Sequence, residues 1–234
     1  VTTVIIPAAG SGTRFGASTP KQFLPLDGIP ILIRTVLVFE RTRAIDAIVI
    51  AASPDYHPAL KEWCAEYRIT KCTTIVAGGV ERQDSIVNAL HTDVASQSDI
   101  ILVHDAVRPF ITPAFVTNIV ETAQEHGSVI PGLPPKETVK EVNNAELGMT
   151  NVVLHTHNRP ALRLIQTPQA FMRATLVHAY QTAQQQGFRG TDDASVVEFA
   201  GGEVRVVAGL EENIKITTPM DWVVAEVLIR RSEL

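Results

Sequence analysis

Cysteine is scarce in this chain: Cys64 and Cys72 are the only two. They are too few for a disulfide framework, and their spacing matches neither CxxC nor a metal motif, so two reduced, half-buried thiols are expected. No block of like charge stands out within a net charge of −5. Nucleic-acid wrapping and membrane-surface binding are therefore poor first readings, although a few local cations can serve an anionic ligand in an acidic protein. No apolar run approaches the ~18 residues of a membrane span. The opening residues carry neither a basic stretch nor a small-residue cleavage site. A soluble cytoplasmic protein follows as the expectation. Repeats and low-complexity linkers are missing too, while 45% hydrophobic residues over 234 positions suffice for one sizeable core.

What is present alternates. "TTVIIPA" (2–8), "DAIVIAAS" (46–53), "CTTIVAG" (72–78) and "DIILVHD" (99–105) read as buried strands. Helix-length segments lie near 30–42, 55–68 and 82–95. Near 112–126, Thr112 is an N-cap and Pro113 the first helical residue. Val116, Ile119, Val120 and Ala123 share a face of that helix, and Gly127 ends it. This order predicts right-handed βαβ units and a mainly parallel sheet flanked by helices, with ligands at the carboxyl ends of its strands. After Gly127 the rhythm breaks. "ETVKEV" and "NVVLHTHN" alternate like strands around a turn near "NNAELG". Such a hairpin is marginal alone and must lie on its own domain or on a second subunit. Helices return near 171–187 and 191–200, and "EVRVVAG" (203–209) is a strand. Thr218, Pro219 and Asp221 open a last helix whose expected buried stripe is Met220, Val223, Val224, Val227 and Leu228.

The glycine loop after the first strand is defined by what it lacks. In "PAAGSGTRFG", Phe15 stands where a Walker loop needs its second glycine and where GxGxxG needs its third. A flexible turn with a solvated Arg14 and Lys21 is one reading. The other is a phosphate cradle, in which Arg14 forks across oxygens and Lys21 supplies a compact charge. "AGGVERQDS" leaves room beside Gly78 and Gly79 for a base or sugar, yet it is also an ordinary helix start. In "LVHDAVRPF", Asp105 and Arg108 follow an apolar strand, where a carboxylate can hold Mg²⁺ or accept from a ribose. His104 reads as structural. "GTDDAS" opens a helix at Thr191. Lys215 in "ENIKITTP" reads as the end of a short strand, pointing opposite to Ile214 and Ile216. His155 and His157 share a strand face but lack further zinc ligands.

Seven blocks in register, "PAAGSGTRFG", "PKQF", "AGGVERQDS", "HDAVRPF", "QTPQAF", "GTDDAS" and "NIKIT", resemble the 2-C-methyl-D-erythritol 4-phosphate cytidylyltransferases of the non-mevalonate isoprenoid pathway. The resemblance implies a single Rossmann-like nucleotidyltransferase domain over 1–234. It also implies a homodimer whose protruding β-arm, about 134–161, embraces the partner. By the same resemblance CTP is held by Pro7, Ala8, Ala9, Gly10, Ser11, Gly12, Thr13 and Arg14, with Lys21 also at the phosphates. Gly79, Arg82 and Ser85 match cytosine-side positions, and Asp105 and Ala106 lie beside the ribose and Mg²⁺. Arg108, Thr138, Arg159, Thr167, Thr191 and Lys215 match positions for the methylerythritol phosphate, some supplied by the partner's arm. Arg14, Lys21, Arg159 and Lys215 are the implied catalytic residues. Asn158 stands where many members carry Asp, and the interval from Asp105 to Arg159 is slightly long. The rival readings are a cytidylyltransferase for another polyol phosphate such as ribitol 5-phosphate, a dinucleotide-dependent oxidoreductase, and a non-catalytic nucleotide sensor.

Overall fold

The computed structural model describes residues 1–10, 19–143 and 150–232. Its centre is a sheet whose strands run in the order β10-β7-β11-β6-β1-β4-β5, with β12 joined to β7. β1 (Thr2–Pro7) pairs in parallel with β4 (Ala47–Ala52) and β6 (Ile100–Val103), and β5 (Cys72–Ala77) extends β4. β7 (Ser128–Leu133) pairs in parallel with β12 (Arg205–Ala208), whereas β10 (Leu164–Ile165) and β11 (Gln169–Met172) run against their neighbours. β2 (Pro25–Leu26) and β3 (Ile29–Pro30) form a small separate ladder.

Period-two alternation sorts the strand residues between two cores. Val4 and Ile6 of β1, Ile48 and Ile50 of β4, and Ile100 and Leu102 of β6 face one core. That core packs under α1 (Ile31–Arg41), α2 (His57–Glu66) and α5 (Pro113–His126). Ile5, Val49, Ile101 and Val103 face the other, with α3 (Arg82–Leu90), α4 (Asp93–Ser96), α6 (Arg173–Gln186) and α7 (Asp193–Phe199). The N-cap predicted for α5 is present: Phe115 N–H donates to Thr112 Oγ1 at 3.2 Å, and Gly127 closes the helix at φ 87°.

Several expectations are corrected. The helix expected over 82–95 is two, because Thr92 leaves the helical path and its hydroxyl caps the start of α4, accepting from Ala95 N–H at 3.3 Å. At "GTDDAS" the cap is Asp192, whose Oδ1 accepts from Ser195 N–H at 2.9 Å. Lys215 lies outside any strand, although Ile216 is buried and its N–H donates to the Val107 carbonyl. The largest correction concerns α8 (Pro219–Ser232). Its capping box forms, with Asp221 Oδ2 accepting from Thr218 N–H at 2.7 Å. Its buried face is Ala225 and Ile229, with Trp222 packed alongside, and Met220, Val223, Val224 and Val227 are exposed. The helix rests on Leu26, Ile31 and Val107, so a narrow contact on small ledges selected a different face from the most apolar one.

The predicted hairpin is present as β8 (Lys140–Val142) against β9 (Val153–Thr156), antiparallel, with every residue of both strands at least partly exposed to solvent. Its turn, beyond Asn143, lies outside the described residues. Cys64 and Cys72 are free thiols, the first buried and the second partly so. No described helix is long and apolar enough to cross a membrane.

Candidate active site

Adjacent parallel strands deliver their following loops to one edge of the sheet. Beyond β1, Ala8 N–H donates to the Ala51 carbonyl at 2.7 Å, and beyond β5, Gly78 N–H donates to the Ala52 carbonyl at 2.8 Å. The small end of β4 thus lets the loops of β1 and β5 meet over it. They meet closely: a Cβ on Gly78 would collide with the Ala9 Cβ, and one on Gly79 with the Asp84 Cβ. Gly79 N–H donates to Ser85 Oγ at 2.9 Å, tying the loop to the start of α3. On the other side, Gln22 Nε2 donates to the Ala8 and Gly10 carbonyls at 2.7 and 2.8 Å. Phe23 stacks on Tyr56 with centroids 3.9 Å apart, which anchors the short turn that presents Lys21.

These loops enclose a cavity of about 380 Å³. Of the residues singled out from the sequence, Pro7, Ala8, Ala9, Gly10, Lys21, Gly79, Arg82, Ser85, Asp105, Ala106 and Lys215 line it together. Arg108 and Thr167 are buried behind the wall. Thr138, Arg159 and Thr191 are exposed and are not part of its lining. Ser11, Gly12, Thr13 and Arg14 lie outside the described residues.

Asp105 is the electrostatic centre of the wall. Lys215 Nζ lies 3.0 Å and Arg108 Nε 3.1 Å from its Oδ2, and Arg82 Nε lies 3.7 Å from its Oδ1. Burial alone would push this carboxyl up, but Lys215, Arg82 and Arg108 outweigh it and hold Asp105 well below the usual carboxylate range. Behind Asp105 runs a buried hydrogen-bond chain. Asp105 N–H donates to Thr167 Oγ1 at 3.0 Å, and that hydroxyl faces His104 Nδ1 at 3.1 Å. His104 Nε2 faces the Arg108 carbonyl at 3.0 Å. A carbonyl only accepts, so Nε2 carries the proton and Nδ1 accepts from Thr167. Burial pushes the His104 imidazole down to about 4. Neutral, buried and away from the cavity lining, His104 is a support for the Asp105 loop, as its structural reading held.

Sequence reasoning missed several residues. Gln22 holds two loop carbonyls; its position inside "PKQF" was the available signal. Val80 and Glu81 line the cavity mouth, Val80 fully exposed. Asn213 clamps the wall from behind, its Nδ2 donating to the Thr167 carbonyl at 2.8 Å and its carbonyl accepting from Arg108 Nη1 at 2.7 Å. Nothing in the spacing announces that role. His155 and His157 pack edge to face, and among the described residues no cluster of His, Cys, Asp and Glu could hold a metal ion.

An open, mainly parallel sheet with helices on both faces and a cationic cavity at its carboxyl edge defines a nucleotide-binding α/β protein of Rossmann-like architecture. Residues 2–231 match the family model for IspD, 2-C-methyl-D-erythritol 4-phosphate cytidylyltransferase. The chain belongs to that family. A relative of that name from Bacillus cereus is 42% identical over 97% of both chains. One from Geobacter metallireducens is 43% identical over 97% of this chain and 96% of its own. The crystal structure of the 2-C-methyl-D-erythritol 4-phosphate cytidylyltransferase from Thermus thermophilus superposes with a TM-score of 0.77 at 33% identity, covering 97% of this chain and 98% of that one. The synthase structure from Anaerococcus prevotii gives 0.84 at 29% identity, over 98% and 96%.

Proposed function

We propose that this protein transfers the cytidylyl group of CTP to 2-C-methyl-D-erythritol 4-phosphate, giving 4-diphosphocytidyl-2-C-methyl-D-erythritol and pyrophosphate. The observation that carries the reading is convergence: residues from the loops of β1, β5 and β6, with Lys21 and Lys215, line one cavity of about 380 Å³, a volume suited to a small-molecule substrate. The acceptor's phosphate oxygen attacks the α-phosphorus, the bond to the leaving pyrophosphate breaks, and no proton need be removed from an already ionised phosphate. The task left to the protein is to bring two anions together in line. Pro7 to Gly10 and Gly79, Arg82 and Ser85 hold the nucleoside. Ser11 to Arg14 with Lys21 hold the phosphates. Lys215 is released from Asp105 to meet the acceptor, with Thr191, Arg108 and Thr167 supporting that side.

Mg²⁺ fits this donor set as an ion held mainly by nucleotide oxygens, because among the described residues Asp105 and Glu81 are the only carboxylates lining the cavity, and Asp105 already faces three cations. Asp105 would be its protein ligand, directly or through water, and the ion would neutralise triphosphate charge. The same reading treats 1–234 as one domain and gives the arm, about 134–161, to a partner subunit, so that Thr138 and Arg159 complete the site of a homodimer. The exposed Val142, Val152, Val153 and Leu154 supply an apolar surface for that contact. Two free thiols suit the reducing cytoplasm.

A pyrophosphate-release assay tests the reading, with CTP against ATP, GTP and UTP, and methylerythritol phosphate against ribitol 5-phosphate. CTP with methylerythritol phosphate should be preferred by at least about tenfold, a margin of about 1.4 kcal/mol. Equal or better use of ribitol 5-phosphate would overturn the acceptor, and binding of NAD without CTP would overturn the reaction class.

A further inference from the structure

Arg82 enters the cavity wall from the first turn of α3, and its side chain is only 30% exposed. Its guanidinium spans two carboxylates. Nη2 lies 2.6 Å from Asp193 Oδ2, and Nε lies 3.7 Å from Asp105 Oδ1. Asp193 is wholly buried at the start of α7 and lies outside the cavity lining. Its other oxygen accepts from the buried Tyr180 hydroxyl of α6 at 2.6 Å. Burial and the neighbouring Asp193 raise the Tyr180 phenol well above its ordinary value, so it stays a donor. A buried carboxylate with one cation and one donor is held in a single geometry, and it holds its cation likewise. The partition matters for Asp105. While Asp193 holds Arg82, the short contacts of Asp105 go to Lys215 and Arg108. Without that hold, the remaining counter-ion of Arg82 among the described residues would be Asp105.

We infer that Asp193, braced by Tyr180, is a positioning residue for nucleotide binding: it fixes the Arg82 guanidinium at the cavity and keeps it from collapsing onto Asp105. The inference rests on the CTP-binding reading above and deepens it. Asp193 touches no substrate; it acts through Arg82.

The test is a double-mutant cycle read by titration calorimetry of CTP with Mg²⁺ on the full chain, with steady-state kinetics and thermal unfolding alongside. Asp193→Asn keeps the shape and removes the charge. It should raise the Kd and KM for CTP about tenfold and change kcat less than about threefold, because Arg82 contacts the nucleotide before and during reaction alike. In an Arg82→Gln background the same substitution should change Kd less than about twofold. An unchanged Kd in the single variant, or an equal loss in both backgrounds, overturns the inference while leaving the reaction standing. A wild-type chain that binds no CTP overturns both. If Asp193→Asn does not fold, Tyr180→Phe takes its place, with an expected rise in Kd of about two- to fivefold that vanishes in the Arg82→Gln background; a Kd equal to wild type overturns the inference.

Discussion

In the cavity wall, Asp105 and Arg108 are buried, and Arg82 and Lys215, though partly exposed, are partnered with Asp105; in the arm, charged side chains stand in solvent. Asp105 faces Lys215, Arg108 and Arg82, and behind it Thr167, His104 and Asn213 form a continuous buried chain. Arg159 at the foot of the arm donates to the Lys136 carbonyl at 2.7 Å, and Lys140 Nζ donates to Thr156 Oγ1 at 2.6 Å, both exposed. The arm's ladder is short and shifts register between Glu141 and Val142. Two exposed strands of this length bury too little to hold a geometry unaided. Among the described residues the cavity wall is thus held by partners within one chain, whereas Thr138 and Arg159 are exposed and lie outside its lining.

The largest effect is expected at Lys21. Lys21→Ala removes a charge from a turn held by Gln22 and Phe23, neither of which it disturbs. Turnover should fall by about 10²–10³-fold, the scale of losing one electrostatic contact to a transferring phosphoryl group, with the fold retained by circular dichroism. Activity within about threefold of wild type would mean that preorganisation of this side does not serve the phosphates.

The wall itself is tested by pH. His104 titrates at about 4 in the folded chain against 6.5 in the unfolded one, so the unfolded state binds more protons between those values. Stability is full above about 6.5 and falls as pH drops toward about 4, by on the order of 3 kcal/mol. Asp105 acts in a lower window: its folded value is depressed, so its contribution holds above 3.8 and is lost as pH falls below it. Urea midpoints should slope through the first window in wild type and slope less steeply there in His104→Gln. An identical slope in both proteins would remove His104 from the account of the wall.

The same contrast explains what could be read from the sequence. The strands are legible because residues facing both cores are apolar, as in "TTVIIPA", where Val4, Ile5 and Ile6 are all buried. The α5 cap is legible because Thr112-Pro113 acts within one turn. Non-local partners are not. Asn213 and Thr167, or Arg82 and Asp193, are joined only by the fold, 46 and 111 positions apart. The α8 stripe failed for the same reason, since the ledge formed by Leu26, Ile31 and Val107 decides which face is covered. Gln22 was visible as a letter of a motif but not as the bond that shapes the loop.

Arg159→Ala carries the comparison to the arm. It should leave CTP affinity unchanged and lower kcat/KM for the acceptor by about 10–100-fold, the cost of a charged contact to a phosphate. Mixing it with Lys21→Ala sharpens the point. If each site takes its body from one subunit and its arm from the other, random reassortment restores about a quarter of wild-type activity. No recovery after subunit exchange would return Arg159 to its own chain's site or to none.

The smallest effect on the isolated chain is expected where the arm is most apolar. Leu154 is 60% exposed on β9, so Leu154→Ser removes little burial within one chain. The monomer's unfolding free energy at high dilution should stay within about 0.5 kcal/mol of wild type. Any larger change should surface only with concentration, as a weaker self-association measured by sedimentation, because the lost apolar area would then be area covered by a second copy. A destabilised monomer would show that the arm folds onto its own body. An unchanged monomer with unchanged association would leave the arm's apolar face without a role in assembly. Only a shift confined to association matches a cavity completed from outside the chain.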